Sequence, residues 1–190
     1  IAYLKYPHYA DSLIQSTRSL SVLKSEENFS VIKLEEERQR LSNLFRNHGY
    51  YYYRPEFTTY RADTLQKSGY VSLQVVPRNG IPAEAKKQYY IGNTSVYLTG
   101  YDNEPPTDTL RLRTMTFYYS GKKPGIRPNA LMRNVFFRKG ELFSQDRQTF
   151  TQEAIARMGV FRYSEFRYEP KDTTVNGDTL NVNMYATFDK

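Results

Sequence analysis

The chain has no cysteine, no tryptophan and only two histidines in 190 residues. Without cysteine there are no disulfides and no thiolate metal sites, and a cysteine-free chain suits an oxidising or a reducing compartment equally. His8 and His48 each lack a second histidine or carboxylate at the spacing of a metal site or catalytic dyad. No apolar run approaches the roughly 20 residues of a membrane-spanning helix, and no barrel's worth of strands fits the length. The first residues lack both an initiator Met and the basic-then-apolar pattern of a signal peptide, so a mature or excised segment, itself soluble, is expected. Blocks of like charge are also absent. The 27 Lys and Arg are scattered among 20 Asp and Glu, and the net charge of +7 reads mainly as a solvated surface. Nucleic acid and anionic lipid head groups are the two acidic partners that this charge would suit.

What is abundant is phenolic: 18 Tyr and 11 Phe, within a 39% hydrophobic and 25% charged chain. Such a chain can bury enough surface to fold, and Tyr suits half-buried strands and recognition surfaces, where one end of the ring stays wet. The length allows one domain or two small ones.

Two stretches share one order of elements. Val31, Leu34, Leu41, Leu44 and Phe45 fall near helical spacing over residues 31–47, with Glu35, Glu36 and Glu37 read as a solvated early turn and Gly49 as the stop. The run Tyr50-Tyr51-Tyr52-Tyr53, with Phe57 and Tyr60, begins a strand, and after a turn at Gly69 the residues Val71, Leu73 and Val75 alternate as another. In the second half Phe150, Ala154, Ile155 and Met158 mark a helix ended by Gly159. A strand from Val160 to Tyr168 and a turn at Asn176-Gly177 follow, and then Leu180, Val182, Met184, Ala186 and Phe188 alternate. Shorter helices are expected upstream at residues 10–20 and 129–136, and opening strands at 1–6, where the strand is short or truncated, and at 89–99. The segment Lys24-Ser25-Glu26-Glu27-Asn28-Phe29 matches Lys139-Gly140-Glu141-Leu142-Phe143. Residues 114–119 read as a further strand-like stretch ahead of the helices, and the Pro105-Pro106 interval as a loop, an insertion that extends the opening strand, because adjacent prolines cannot sustain a ladder. The expected modules are 1–86 and 87–190, joined by a linker at 77–87, the second carrying a loop insertion around 101–113.

The repeated order of strand, two helices and closing hairpin, with Lys139-Gly140-Glu141-Leu142-Phe143 before the last helix and Met158-Gly159-Val160-Phe161 after it, resembles the POTRA domains of BamA/TamA-like outer-membrane assembly factors of the bacterial surface antigen family. The likeness is clearest over residues 91–188. It implies an α+β fold of tandem modules, each with two helices packed on a small mixed three-stranded sheet. It also implies a place on the periplasmic face of the outer membrane of a Gram-negative bacterium, ahead of a carboxy-terminal β-barrel outside these residues. The implied partners are unfolded outer-membrane proteins, accessory assembly subunits and that barrel, with no cofactor. An exposed strand offers unpaired backbone groups to another extended chain with little sequence preference. By this resemblance the edges are expected at 50–60 and 162–168, with Tyr51, Tyr53, Phe57, Arg162, Ser164 and Arg167 as the peptide-binding positions and the groove beside helix 145–158 as a second surface.

No nucleophile elbow or phosphate-cradling glycine loop is present, so no enzyme is expected. The rival reading is a nucleic-acid-binding module that stacks bases on Phe161-Arg162-Tyr163, although no Gly-Phe aromatic signature of an RNA-binding sheet occurs. A third reading is a passive spacer or assembly scaffold.

Overall fold

The computed structural model describes residues 1–65, 68–174 and 176–190 and divides into two compact units, Ile1–Lys87 and Gln88–Lys190.

The first unit runs β1 (Ala2–Tyr3), α1 (His8–Ser16), α2 (Val31–Arg46), β2 (Thr58–Asp63) and β3 (Ser72–Pro77). Its sheet has the order β1-β3-β2, with β1 parallel and β2 antiparallel to the central β3. Helix α2 starts where the Ser30 side chain accepts a hydrogen bond from the Lys33 N–H, and the turn after it passes through Gly49 at φ 94°, which glycine adopts without a Cβ clash. The unit's core gathers Tyr3, Ile14, Leu41, Phe45, Tyr50, Tyr53 and Val75.

Two expectations for this unit are corrected. The aromatic run does not begin a strand. Tyr51 and Tyr52 lie in a turn, and residues 55–57 form one turn of 3-10 helix with Pro55 at its start. Tyr50 and Tyr53 instead turn inward onto Phe45, with ring centroids 5.7 and 4.7 Å away. Burying two rings on a helix face outweighs β-propensity here, and the strand starts only at Thr58.

Glu37, second, is not a solvated residue of an early turn but is 0% exposed. Arg40 donates to both of its carboxylate oxygens at 2.7 and 2.9 Å, Tyr3 Oη donates at 2.5 Å, and the Val22 N–H donates at 3.1 Å. Burial by itself would raise this carboxyl, but the Arg40 and Tyr3 hydrogen bonds outweigh it and hold the group below its ordinary value. A carboxylate in this position ties β1 and the segment after α1 to α2.

The second unit runs β4 (Tyr90–Thr99), β5 (Asp108–Leu112), β6 (Met115–Tyr119), α3 (Pro128–Met132), α4 (Gln145–Arg157), β7 (Phe161–Pro170) and β8 (Thr179–Phe188). It repeats the first unit's order with a hairpin added after the opening strand. Helix α4 is capped like α2, the Ser144 side chain accepting from the Arg147 N–H. Its inward face is Thr151, Ala154 and Ile155, so Phe150, expected on that face, lies exposed instead.

The stretch expected to be a loop around 101–113 is only partly one. Residues 108–112 form β5, because Leu110 and Leu112 alternate with polar neighbours and pack on the core, while Arg113 makes the tight turn into β6 at φ 54°. The second sheet therefore has five strands in the order β5-β6-β4-β8-β7, not three, and β4 runs parallel to both of its neighbours.

The helices cover the face formed by Val96, Leu98, Phe117, Met184 and Ala186. On the opposite face Tyr97 stands in register with Tyr118 on one side and Tyr185 on the other, with ring centroids 4.7 and 4.9 Å apart and planes nearly parallel. The Arg167 guanidinium lies over the outer side of this row, 5.0 Å from the Tyr185 ring.

Candidate strand-accepting edges

Strand β7 is an outermost strand of its sheet, and the phase of its ladder fixes which backbone groups look outward. Lys171 N–H donates to Thr179 O at 2.9 Å. In an antiparallel ladder bonded pairs recur every second residue, so Glu169, Arg167, Glu165 and Tyr163 exchange hydrogen bonds with β8. Ser164 and Phe166 consequently turn their N–H and C=O to the open side. Pro170 occupies an outward place in the same phase and has no N–H, which ends the bonding edge there. At the other end a bulge between Phe161 and Tyr163 shifts the register.

Side chains make contacts along this edge on both faces. On the helix side Phe166 meets Phe137 edge-on at 6.0 Å and Tyr168 meets Phe143 at 5.3 Å. On the outer face Arg167 donates twice to Glu165 at 3.0 Å, and Tyr163 Oη donates to the same carboxylate at 2.5 Å. The Arg167 bonds, then the Tyr163 bond, hold the Glu165 carboxyl below its ordinary value. All three side chains are solvent-facing, so they shape the surface more than they stabilise it.

In the first unit β2 is outermost, and the same logic applies. Arg78 N–H donates to Phe57 O at 2.7 Å, which places Thr59, Arg61 and Asp63 in bonded pairs with β3 and turns Tyr60 and Ala62 outward. The Tyr60 hydroxyl donates to Leu34 O at 2.6 Å, holding this strand to α2.

No family model and no curated protein sequence matches the chain. Solved structures do. Over 100% of its length the chain is similar to the crystal structure of BamA from Haemophilus ducreyi lacking POTRA domains 1-3, with a TM-score of 0.62 and 11% identity, and it covers 28% of that chain. Over 98% it is similar to Haemophilus influenzae BamA POTRA3-5, with a TM-score of 0.54 and 10% identity, and it covers 59% of that chain. The fold is the POTRA fold. At this identity the likeness speaks of fold, and the chain spans less than two thirds of both relatives.

The POTRA framework separates the six positions expected at the edges into two groups. Arg162, Ser164 and Arg167 all lie on β7. Arg162 sits at the bulge and reaches back to the inserted segment, donating to Asn103 Oδ1 at 2.8 Å, while Arg167 is engaged with Glu165 and Tyr185. Tyr51, Tyr53 and Phe57 all precede the edge strand. Tyr53 is buried with its hydroxyl 3.0 Å from Thr58 Oγ1, Phe57 packs on Tyr53 at 5.6 Å, and Tyr51 lies under Arg46 at 5.6 Å.

The outward pair Tyr60 and Ala62, and Phe166 beside Ser164, were not singled out from sequence. The signal that could have found them is the prolines: Pro77 and Pro170 can occupy only places that need no ladder N–H, and this fixes the phase of both hairpins. Helix α4 packs beside β7, so the surface expected at residues 145–158 adjoins that edge. Among the described residues no group of three His, Cys, Asp or Glu is placed to hold a metal, and no helix is long and apolar enough to cross a membrane.

Proposed function

We propose that these units belong to the periplasmic region of an outer-membrane β-barrel assembly or translocation protein and act by binding and positioning, without bond chemistry. Their open edges take extended segments of unfolded outer-membrane proteins, or of accessory subunits, by strand addition and hold them for a carboxy-terminal barrel. The observation that carries this reading is the β7 edge, where the N–H groups of Ser164 and Phe166 look outward between a bulge and Pro170. Strand addition draws its affinity from main-chain bonds, which suits a binder of many sequences. The POTRA fold shared with BamA structures supports the same role.

Ser164→Pro tests the reading directly, because it removes one outward donor and leaves the β7–β8 bonds in place. One hydrogen bond contributes about 0.5–1.5 kcal/mol, so a roughly 2- to 12-fold loss of affinity is expected for a synthetic strand peptide from an outer-membrane barrel, followed by NMR titration at low and high salt. Shifts confined to β7 or β2 that persist in salt support the proposal. A folded Ser164→Pro protein that binds the peptide unchanged removes β7 as the site. Shifts produced only by a single-stranded oligonucleotide, and abolished by salt, overturn the proposal in favour of nucleic-acid binding.

A further inference from the structure

Charge is mixed over most of the chain, but from Thr109 to Gly140 there are eight Lys and Arg and no Asp or Glu. This stretch opens in the inserted strand β5, which is outermost in the second sheet on the side away from β7. The two-residue turn Arg113-Thr114, across which Leu112 pairs with Met115, sets the phase of its ladder. Residues flanking such a turn exchange hydrogen bonds, and bonded pairs recur every second residue, so Leu112, Leu110 and Asp108 bond to β6. Thr109 and Arg111 consequently turn their N–H and C=O to the open side.

The charge on this edge is not neutralised as it is on β7, where Arg167 is engaged with Glu165. Arg111 and Arg113 are exposed, and among the described residues neither has an ion-pair partner. On the outer face Arg111 stands beside Thr116 and Thr109 beside Tyr118, while Leu110 and Leu112 are half-buried on the helix side. Asp108, the one acid of the strand, lies at the end away from the arginines. This pattern rejects a second copy of the chain. An antiparallel pairing of the outward residues would gather the arginines of both copies on one face, and like charges across a ladder repel.

We infer that β5 is a docking edge for an extended segment of a partner protein in which acidic side chains alternate with apolar ones. The acidic side chains face Arg111 and Arg113, the apolar ones continue the row of Leu110 and Leu112, and the main chain takes up the outward groups of Thr109 and Arg111. The charges that exclude a second copy are the ones that select the partner. The site belongs to the hairpin by which the second sheet exceeds the first, and it stands apart from the edges on β2 and β7 proposed for clients.

The test adds a synthetic Thr-Glu-Val-Glu-Val-Glu-Thr peptide to the 190-residue protein, with the counterpart carrying Lys in place of Glu as the second arm. At about 5 mM, and for a Kd near 0.5 mM, the acidic peptide is expected to slow solvent exchange of the Thr109 and Arg111 amides about tenfold, while the Lys peptide leaves them unchanged. Arg111→Glu, at an exposed position, is expected to weaken the acidic peptide about three- to tenfold and to admit the Lys peptide in its place. Absence of protection at Thr109 and Arg111 by the acidic peptide overturns the docking edge, and equal protection by both peptides overturns its acidic partner. A single-stranded oligonucleotide that shifts Arg111 and Arg113 as strongly as the acidic peptide, with neither protecting the two amides, overturns the strand and assigns the basic stretch to a nucleic acid. All three readouts lie on β5, so this inference and the proposed function fail separately.

Discussion

Glu37→Ala is expected to lower the stability of the first unit by about 3–5 kcal/mol, because it leaves the Arg40 guanidinium and the Tyr3 hydroxyl without the carboxylate that both engage. Arg40 is itself mostly buried, so water cannot fully replace the lost partner. For a unit of this size the loss corresponds to a fall in melting temperature of more than about 12 °C. Urea unfolding followed by NMR separates the units: resonances of β1, α2 and β3 should move to a lower midpoint, while those of β4 and β8 hold theirs. Equal midpoints for wild type and variant would show that the buried pair contributes nothing.

The same carboxylate gives a pH dependence of known sign. Its folded-state value lies below the ordinary 4.5, so its contribution is complete at neutral pH and is lost as pH falls from about 4.5 through the lower folded value. A Glu37→Gln protein should lack that part of the acid slope.

Phe45→Ala is expected to cost about 3–5 kcal/mol in the same unit. The ring is 1% exposed and meets Tyr6, Tyr50 and Tyr53 at 5.9, 5.7 and 4.7 Å, so its removal opens a cavity walled by three other rings. The readout can be local. Burial pushes the Tyr53 phenol up to about 12 against the lowering effect of its hydrogen bonds, and admitting water beside it should bring that value back towards 10. An NMR titration of Tyr53 that leaves its value near 12 in the variant would show that the core closes over the gap.

Much of this architecture could be read from residue order alone. Alternation in Leu180 to Phe188, and in Leu73 and Val75 though not at exposed Val71, with glycine stops at Gly49 and Gly159, located the last strand of each closing hairpin, because period and punctuation are local signals. The failures are equally physical. Tyr50 to Tyr53 have strand-forming side chains, but Phe45 lies one helical turn before them and captures two of the rings. Glu37 sits among three glutamates, and nothing in that run distinguishes the one that meets Tyr3, a residue 34 positions away. The inserted hairpin was obscured by Pro105-Pro106, which govern only the residues next to them and leave Asp108–Leu112 free to pair. For the candidate edges, the position of β7 could be foreseen, but which of its amides face outward depends on the phase of the ladder, and in the sequence only Pro170 marks that phase.

The row Tyr118, Tyr97, Tyr185 acts on the sheet as a vernier does on a scale. Parallel strands β4, β6 and β8 meet through long-range pairings that no short turn aligns, so each could in principle slide against its neighbour. A slide of one residue on either side of β4 would send the moved strand's tyrosine to the helix-covered face and bring a core residue such as Phe117 or Met184 into water. A slide of two would keep the faces but set Tyr97 against Thr116 or Asn183, breaking the stack of rings. Only one alignment closes all three, and in that alignment the added hairpin and the β7 edge are indexed to the same row of β4.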